Sequence, residues 1–204
     1  VGDILGGHAI VRKDDFLDET THGAFLSGTD EKARNFISFE IEGGLRVLAR
    51  PSGTEPKIKL YAEVMGNPLG ATATDEDVLK EQSKLGKQLQ TVMDAVAQQG
   101  YGLLGIDMPV HGLRCSPLLG LDARVDFAGP FLEDLQKQAV TMNTAGELTA
   151  WVDNRIDSYG KDARGLVRKG IHEWLSGTSH LTEKSRGLIA LGYLIEKSNK
   201  DGYN

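Results

Sequence analysis

The stretch RPSGTEPK, residues 50–57, gathers several groups that can bind an anion. A phosphate needs donors that converge on one point. Arg50 offers a planar, permanently charged fork. Ser52 and Thr54 add hydroxyl donors. Gly53 permits positive φ and lets backbone N–H groups approach an anion with no Cβ in the way. Pro51 presets the turn and removes freedom from the unliganded loop. Lys57 adds a point charge at the start of the next segment. Glu55 is the single acid, expected to turn away from a dianion or to hold a base in place. A charge-assisted hydrogen bond is worth roughly 1.5–3 kcal/mol, so about three or four would fix a phosphate partly shielded from water.

The same composition also suits a decorated hairpin loop with no ligand. Two partial copies sharpen the comparison. SGTDEK (27–32) repeats Ser-Gly-Thr and a lysine at the same spacing, and SGTS (176–179) repeats the first three residues. Neither follows Arg-Pro, and neither lies between two strand patterns. The first reads as a loop and the second as a helix end.

Other reactive side chains form no such constellation. His8, His22, His111, His172 and His180 are scattered, with no ligand-like pair one helical turn apart, so no metal site is expected. Cys115 has no catalytic histidine in its sequence context and reads as a buried thiol. Trp151 and Trp174 fall on apolar helical faces and read as core. The basic start of RKGIHEW (168–174) reads as a solvated helix edge.

The elements around the loop follow from periodicity. GHAIVRKDDF (7–16) reads as a short strand, and residues 17–35 as polar and turn-rich. In FISFEIEGG (36–44), Ile37, Phe39 and Ile41 alternate with Ser38, Glu40 and Glu42, and Gly43-Gly44 reads as a hairpin turn. LRVLA (45–49) returns. After the loop, Ile58, Leu60, Ala62 and Val64 share one strand face. Thr74 caps a helix over about 75–99, with acids in its first turn and Gly100 as its expected stop. Residues 101–130, dense in Gly and Pro, read as an irregular connector. Helices are expected over about 130–142, 145–158, 161–175 and 182–198, with Pro130 in a first turn and Thr144–Glu147 as a capping box. Leu188, Leu191 and Ile195 supply the last apolar face. The fold class is α+β: a small antiparallel sheet covered by a helix, then an all-α module. The expected domains are 1–100 and 101–204.

The formal net charge of -6 argues against broad attraction to nucleic acid or membrane. Residues 1–100 carry 11 basic and 16 acidic side chains, yet Arg46, Arg50, Lys57 and Lys59 face only Glu55 within 46–59. A small local anion site fits that pattern better than a polymer-binding surface. A single cysteine precludes an intrachain disulfide, which points to the reducing cytoplasm. No signal-peptide pattern and no apolar run of about 18 residues is present. The chain begins at Val1 and is expected to be a piece of a longer one.

The string LRVLARPSGTEPKIKLYAEV (45–64) resembles the C-terminal domain of the α-D-phosphohexomutases, the superfamily of phosphoglucomutases and phosphomannomutases. RPSGTEP matches that family's phosphate-binding loop at every position, and FISFEIEGGLRVLA resembles the strand pair leading into it. The resemblance covers about residues 1–100 and does not extend to 101–204. It implies an isomerase of carbohydrate metabolism that moves a phosphoryl group within a hexose phosphate. In such enzymes an upstream phosphoserine donates to the sugar with Mg²⁺ support, and the last domain grips the phosphate that is not reacting. That grip falls by resemblance on Arg50, Ser52, Gly53 and Thr54, with Lys57 the weaker match.

The departures are informative. The sequence has no Thr-Ala-Ser-His-Asn-Pro nucleophile loop, no Asp-x-Asp-x-Asp-Arg metal loop and no Gly-Glu-x-Ser-Gly sugar loop. The expectation is therefore a mutase fragment, inactive alone, with no catalytic residue and no cofactor of its own. Mg²⁺ and the remaining sites would lie in upstream domains of the same polypeptide, and the sugar is not specified. Two alternatives remain open: a stand-alone phosphate- or phosphosugar-binding module, and an interaction module carried by the C-terminal helices.

Overall fold

A computed structural model describes residues 2–55, 57–179 and 181–190. The chain divides into two compact units, Val1–Gly100 and Tyr101–Asn204.

The first unit is built on a five-stranded antiparallel sheet in sequential order: β1 (Ile4–Leu5), β2 (His8–Asp15), β3 (Ile37–Ile41), β4 (Leu45–Pro51) and β5 (Ile58–Val64). Two short helices, α1 (Glu19–His22) and α2 (Gly28–Ala33), fill the β2–β3 connection that the sequence reads as turns. The SGTDEK copy is not a loop. Ser27 accepts from the Asp30 N–H and caps α2, so this serine is occupied by the helix it starts.

Register sorts the sheet into two faces. Ile41, Leu45 and Val64 align across β3–β5, as do Phe39, Val47 and Ala62, and Ile37, Ala49 and Leu60. The helix α3 (Asp75–Leu103) presses Val92 and Val96 onto the first two rows, forming a core with Ile41, Leu45 and Val47. The third row is poorly covered. Leu60 is 37% exposed and Ile58 72%, so the apolar stripe expected on β5 is buried only toward Val64. Gly43 and Gly44, both at positive φ, make the β3–β4 turn. Gly6, at φ 58°, lies where a Cβ would come within 2.9 Å of Val96. Nearby, the Gln99 side chain accepts from Gly6 N–H and donates to Ile4 C=O.

Thr74 and Asp77 bond reciprocally at the start of α3, and Asp77 is held below the usual carboxylate range by the Thr74 backbone N–H and hydroxyl. Gly100 does not stop the helix, which continues to Leu103. A glycine inside a helix costs only about 1 kcal/mol, and this one is exposed with nothing around it to force a break.

Among its described residues, the regular elements of the second unit are all helical. The expected connector holds α4 (Val110–Leu113) and α5 (Leu121–Asp126), then a π turn (Phe127–Phe131) that runs into α6 (Leu132–Thr141). Pro130 lies inside that turn and not at a helix start. Its missing N–H is tolerated where the hydrogen-bond ladder already changes register. Then come α7 (Ala145–Ile156), a 3₁₀ turn (Asp157–Tyr159), α8 (Ala163–Gly177) and α9 (Glu183–Ile189). The Thr144–Glu147 capping box is formed, and SGTS is the end of α8. His180, Leu191 and Ile195, with the expected continuation of the last helix, lie outside the described residues.

Phe127, Phe131, Leu135, Leu148, Val152, Val167, Ile171 and Ile189 form the core of this unit. Trp174 is buried with them, and Trp151 stacks on Phe131 at 5.9 Å. Cys115 is buried, and desolvation pushes its thiol up to about 12.

Candidate functional site

The sheet positions the loop. β4 continues past the expected LRVLA segment through Arg50 and Pro51, and the Ser52 N–H donates to Lys57 C=O at 2.8 Å. That bond closes a tight hairpin whose tip holds Gly53, Thr54 and Glu55; Pro56 lies outside the described residues.

The polar face of β4 and β5 shows which cations are already committed. Arg46 opposes Glu63, pairs with it at 3.2 Å, and donates through Nε to the buried Ser38 hydroxyl at 3.0 Å. Its role is to satisfy the sheet. Four residues on, on the same face, Arg50 opposes Lys59. Arg50 is exposed and makes no ion pair or side-chain hydrogen bond with any described residue. Like charges directly opposed across a ladder are destabilising. Such a pair is useful where an anion will sit between or above them.

Ser52 adds a second mark. Its Oγ is shielded from solvent, yet has no hydrogen-bond partner among the described residues. A buried hydroxyl left unsatisfied costs about 1–3 kcal/mol. Thr54 is exposed at the tip. Gly53 does not have positive φ, and a Cβ there would meet nothing within 4 Å. The conformation of the hairpin therefore does not require glycine at 53. This corrects one of the two reasons for its presence and leaves the other, close approach of a ligand to the backbone.

Lys57 is not free. Its Nζ meets a Glu55 carboxylate oxygen at 2.5 Å, so Glu55 holds a base in place. The Lys57 hydrogen bond and charge, with a further contribution from Lys59, hold the Glu55 carboxyl below its ordinary range. Arg50, Ser52, Gly53, Thr54 and Lys57 thus surround one hairpin. Lys59 joins them, a residue counted in the local basic cluster but not assigned to the site from the motif. The strand alternation that puts Lys59 on the face opposite Ile58 and Leu60 was the signal that could have found it.

Residues 31–81 match the family model described as phosphoglucomutase/phosphomannomutase, C-terminal domain. That likeness lies wholly within the first unit. The match begins in α2, runs through β3, β4, the hairpin and β5, and ends within the first two turns of α3. It therefore includes every residue of the candidate site. The α+β architecture of an antiparallel sheet followed by helices agrees with this phosphohexomutase domain. No curated protein and no solved structure matches the chain. Among the described residues, no three His, Cys, Asp or Glu side chains gather where they could hold a metal ion. No described helix is long and apolar enough to cross a membrane.

Proposed function

We propose that the first unit is the phosphate-gripping domain of a phosphohexomutase and that it binds the non-reacting phosphate of a hexose phosphate. Arg50 supplies the bidentate fork, with Ser52 and Thr54 hydroxyls and the Gly53 backbone N–H completing the cradle. Lys57 and Lys59 add charge from the β5 side. The observation that carries this reading is the opposition of Arg50 and Lys59 at one rung of the ladder beside the unsatisfied Ser52 hydroxyl. A dianion would relieve the repulsion and the lost hydrogen bond together.

In this reading the phosphoserine, the Mg²⁺ and the sugar-selecting groups belong to upstream domains of the same cytoplasmic polypeptide. This chain's contribution is positioning. Fixing one phosphate of the substrate orients the sugar for transfer at its other end, and such orientation lowers barriers by removing translational and rotational freedom.

Titration of the chain with glucose 1-phosphate, followed by amide chemical shifts, tests the reading. Shifts should centre on Ser52, Gly53 and Thr54, with an affinity on the order of millimolar, about -4 kcal/mol, for half of a cleft. Shifts confined to Gly28 and Thr29, in the SGTDEK copy, would overturn it.

A further inference from the structure

Glu55 is a carboxylate at the tip of a hairpin whose proposed ligand is a dianion. General repulsion would weaken binding there, yet the acid is neither turned away nor isolated. It clasps Lys57 at 2.5 Å, and Lys57 N–H also donates to Glu55 C=O at 2.8 Å. Lys59 lies close enough to stabilise the same carboxylate. Within 46–59 there is no other acid. Both members of the clasp are about half exposed, so the pair is one that a competing anion can reach and open. Arg50, by contrast, has no described partner to release.

We infer that Glu55 is a built-in competitor for the phosphate site, occupying Lys57 when the loop is free and giving it up when an anion binds. The inference rests on the phosphate-site reading above and adds its regulation. The loop then has two states. In the free state Arg50 and Lys59 are available but Lys57 is not, which favours encounter but not tight holding. In the bound state the anion replaces the Glu55 carboxylate on Lys57, and Glu55 moves to solvent. Exposed ion pairs are weak, so the clasp should open easily and tune affinity by a modest factor. That suits a site that must release a phosphosugar in each catalytic cycle.

A double-mutant cycle on the whole 204-residue chain separates this from simple charge repulsion. Inorganic sulfate serves as the probe because its charge is constant near neutral pH. Glu55→Gln should tighten sulfate binding about two- to five-fold, the range of an exposed ion pair. In a Lys57→Met background the same substitution should change affinity far less. An equal gain in both backgrounds would overturn the clasp, since the carboxylate would then act by its field alone. Wild-type binding that Glu55→Gln leaves unchanged would also overturn it while preserving the phosphate site. Absence of sulfate binding in both Glu55 forms would remove the phosphate-site reading and this inference with it.

Discussion

Arg50 and Lys59 are Cα partners in the β4–β5 ladder, two cations on one face, one rung before the last pair, Pro51 and Ile58. Four residues back along β4, on the same face, Arg46 meets Glu63, the pairing that stability alone would favour. The contrast between these two rungs separates an arginine paired within the sheet from one with no described side-chain partner.

Arg50→Ala should therefore leave folding intact and damage binding. The exposed guanidinium contributes below about 1 kcal/mol to stability, and removing it also relieves the opposition to Lys59. The thermal midpoint should stay level or rise slightly. In the mutase proposed to contain this domain, loss of the fork should cost about 2–4 kcal/mol of binding, or roughly 30- to 1,000-fold in kcat/KM. Arg50→Lys should recover only part, and Thr29→Ala should do nothing. Steady-state kinetics with thermal melts would check all three; normal kcat/KM in Arg50→Ala would count against the site.

The 204-residue chain alone should show no mutase turnover, because it lacks the family's nucleophile and metal motifs. A coupled assay with glucose 1-phosphate or mannose 1-phosphate, magnesium and a bisphosphate activator measures this. Turnover above a protein-free control would contradict it.

The second unit should lose stability in acid. Asp126 accepts from Arg155 Nη2 at 2.9 Å and from the Tyr159 hydroxyl. Burial opposes its charge, but these two hydrogen bonds outweigh burial and hold its carboxyl below the ordinary range. A carboxylate whose pKa is depressed by folding stabilises above its unfolded value, and the contribution disappears as pH falls through the folded one. The loss should thus begin near pH 4 and deepen below it. Asp126→Asn should flatten that limb of the stability curve, and Tyr159→Phe should cost about 1–2 kcal/mol at neutral pH. Urea midpoints from pH 3 to 7 on wild type and both variants provide the comparison.

Two glycines in the second unit should respond oppositely to alanine. A Cβ at Gly170 would come within 2.6 Å of the buried Phe127 ring and 3.2 Å of His111 C=O. Gly170→Ala should destabilise by about 1–3 kcal/mol through overpacking. At Gly146, in α7, a Cβ would meet nothing within 4 Å. Gly146→Ala should stabilise by about 0.4–1 kcal/mol by restricting the unfolded chain. Melting both variants beside the parent settles the sign of each.

Residues 1–104 expressed alone should melt cooperatively. The core of the first unit, from Ile41 to Val96, is complete within them, as is all of α3. A non-cooperative melt would mean that the two units share one folding transition.

Much of the site was readable in the residues themselves. The alternation of Ile37, Phe39 and Ile41, the Gly43-Gly44 turn and the Arg-Pro-Ser-Gly-Thr loop are local signals, set by side-chain period and backbone φ preferences. So is the Thr144–Glu147 cap, which needs only residues of one helical turn. What failed depended on neighbours. Ile58 and Leu60 have the pattern of a buried strand face, but α3 covers the sheet only as far as the Val47 row. SGTDEK repeats part of the RPSGTEPK pattern, but its serine is taken by a helix N-terminus. Gly100 has the type of a helix stop and no tertiary reason to be one.

Sequence alone determined the identity of the loop and the strands that carry it, because short-range periodicity and turn chemistry are encoded within a few residues. Only the tertiary structure decided which charges in that loop are free. Pairing register joined Arg46 to Glu63, opposed Arg50 to Lys59, and the hairpin fold brought Glu55 onto Lys57. Electrostatic partnership falls off over a few ångströms, and such distances between residues on different strands are set by the ladder, not by their order in the chain.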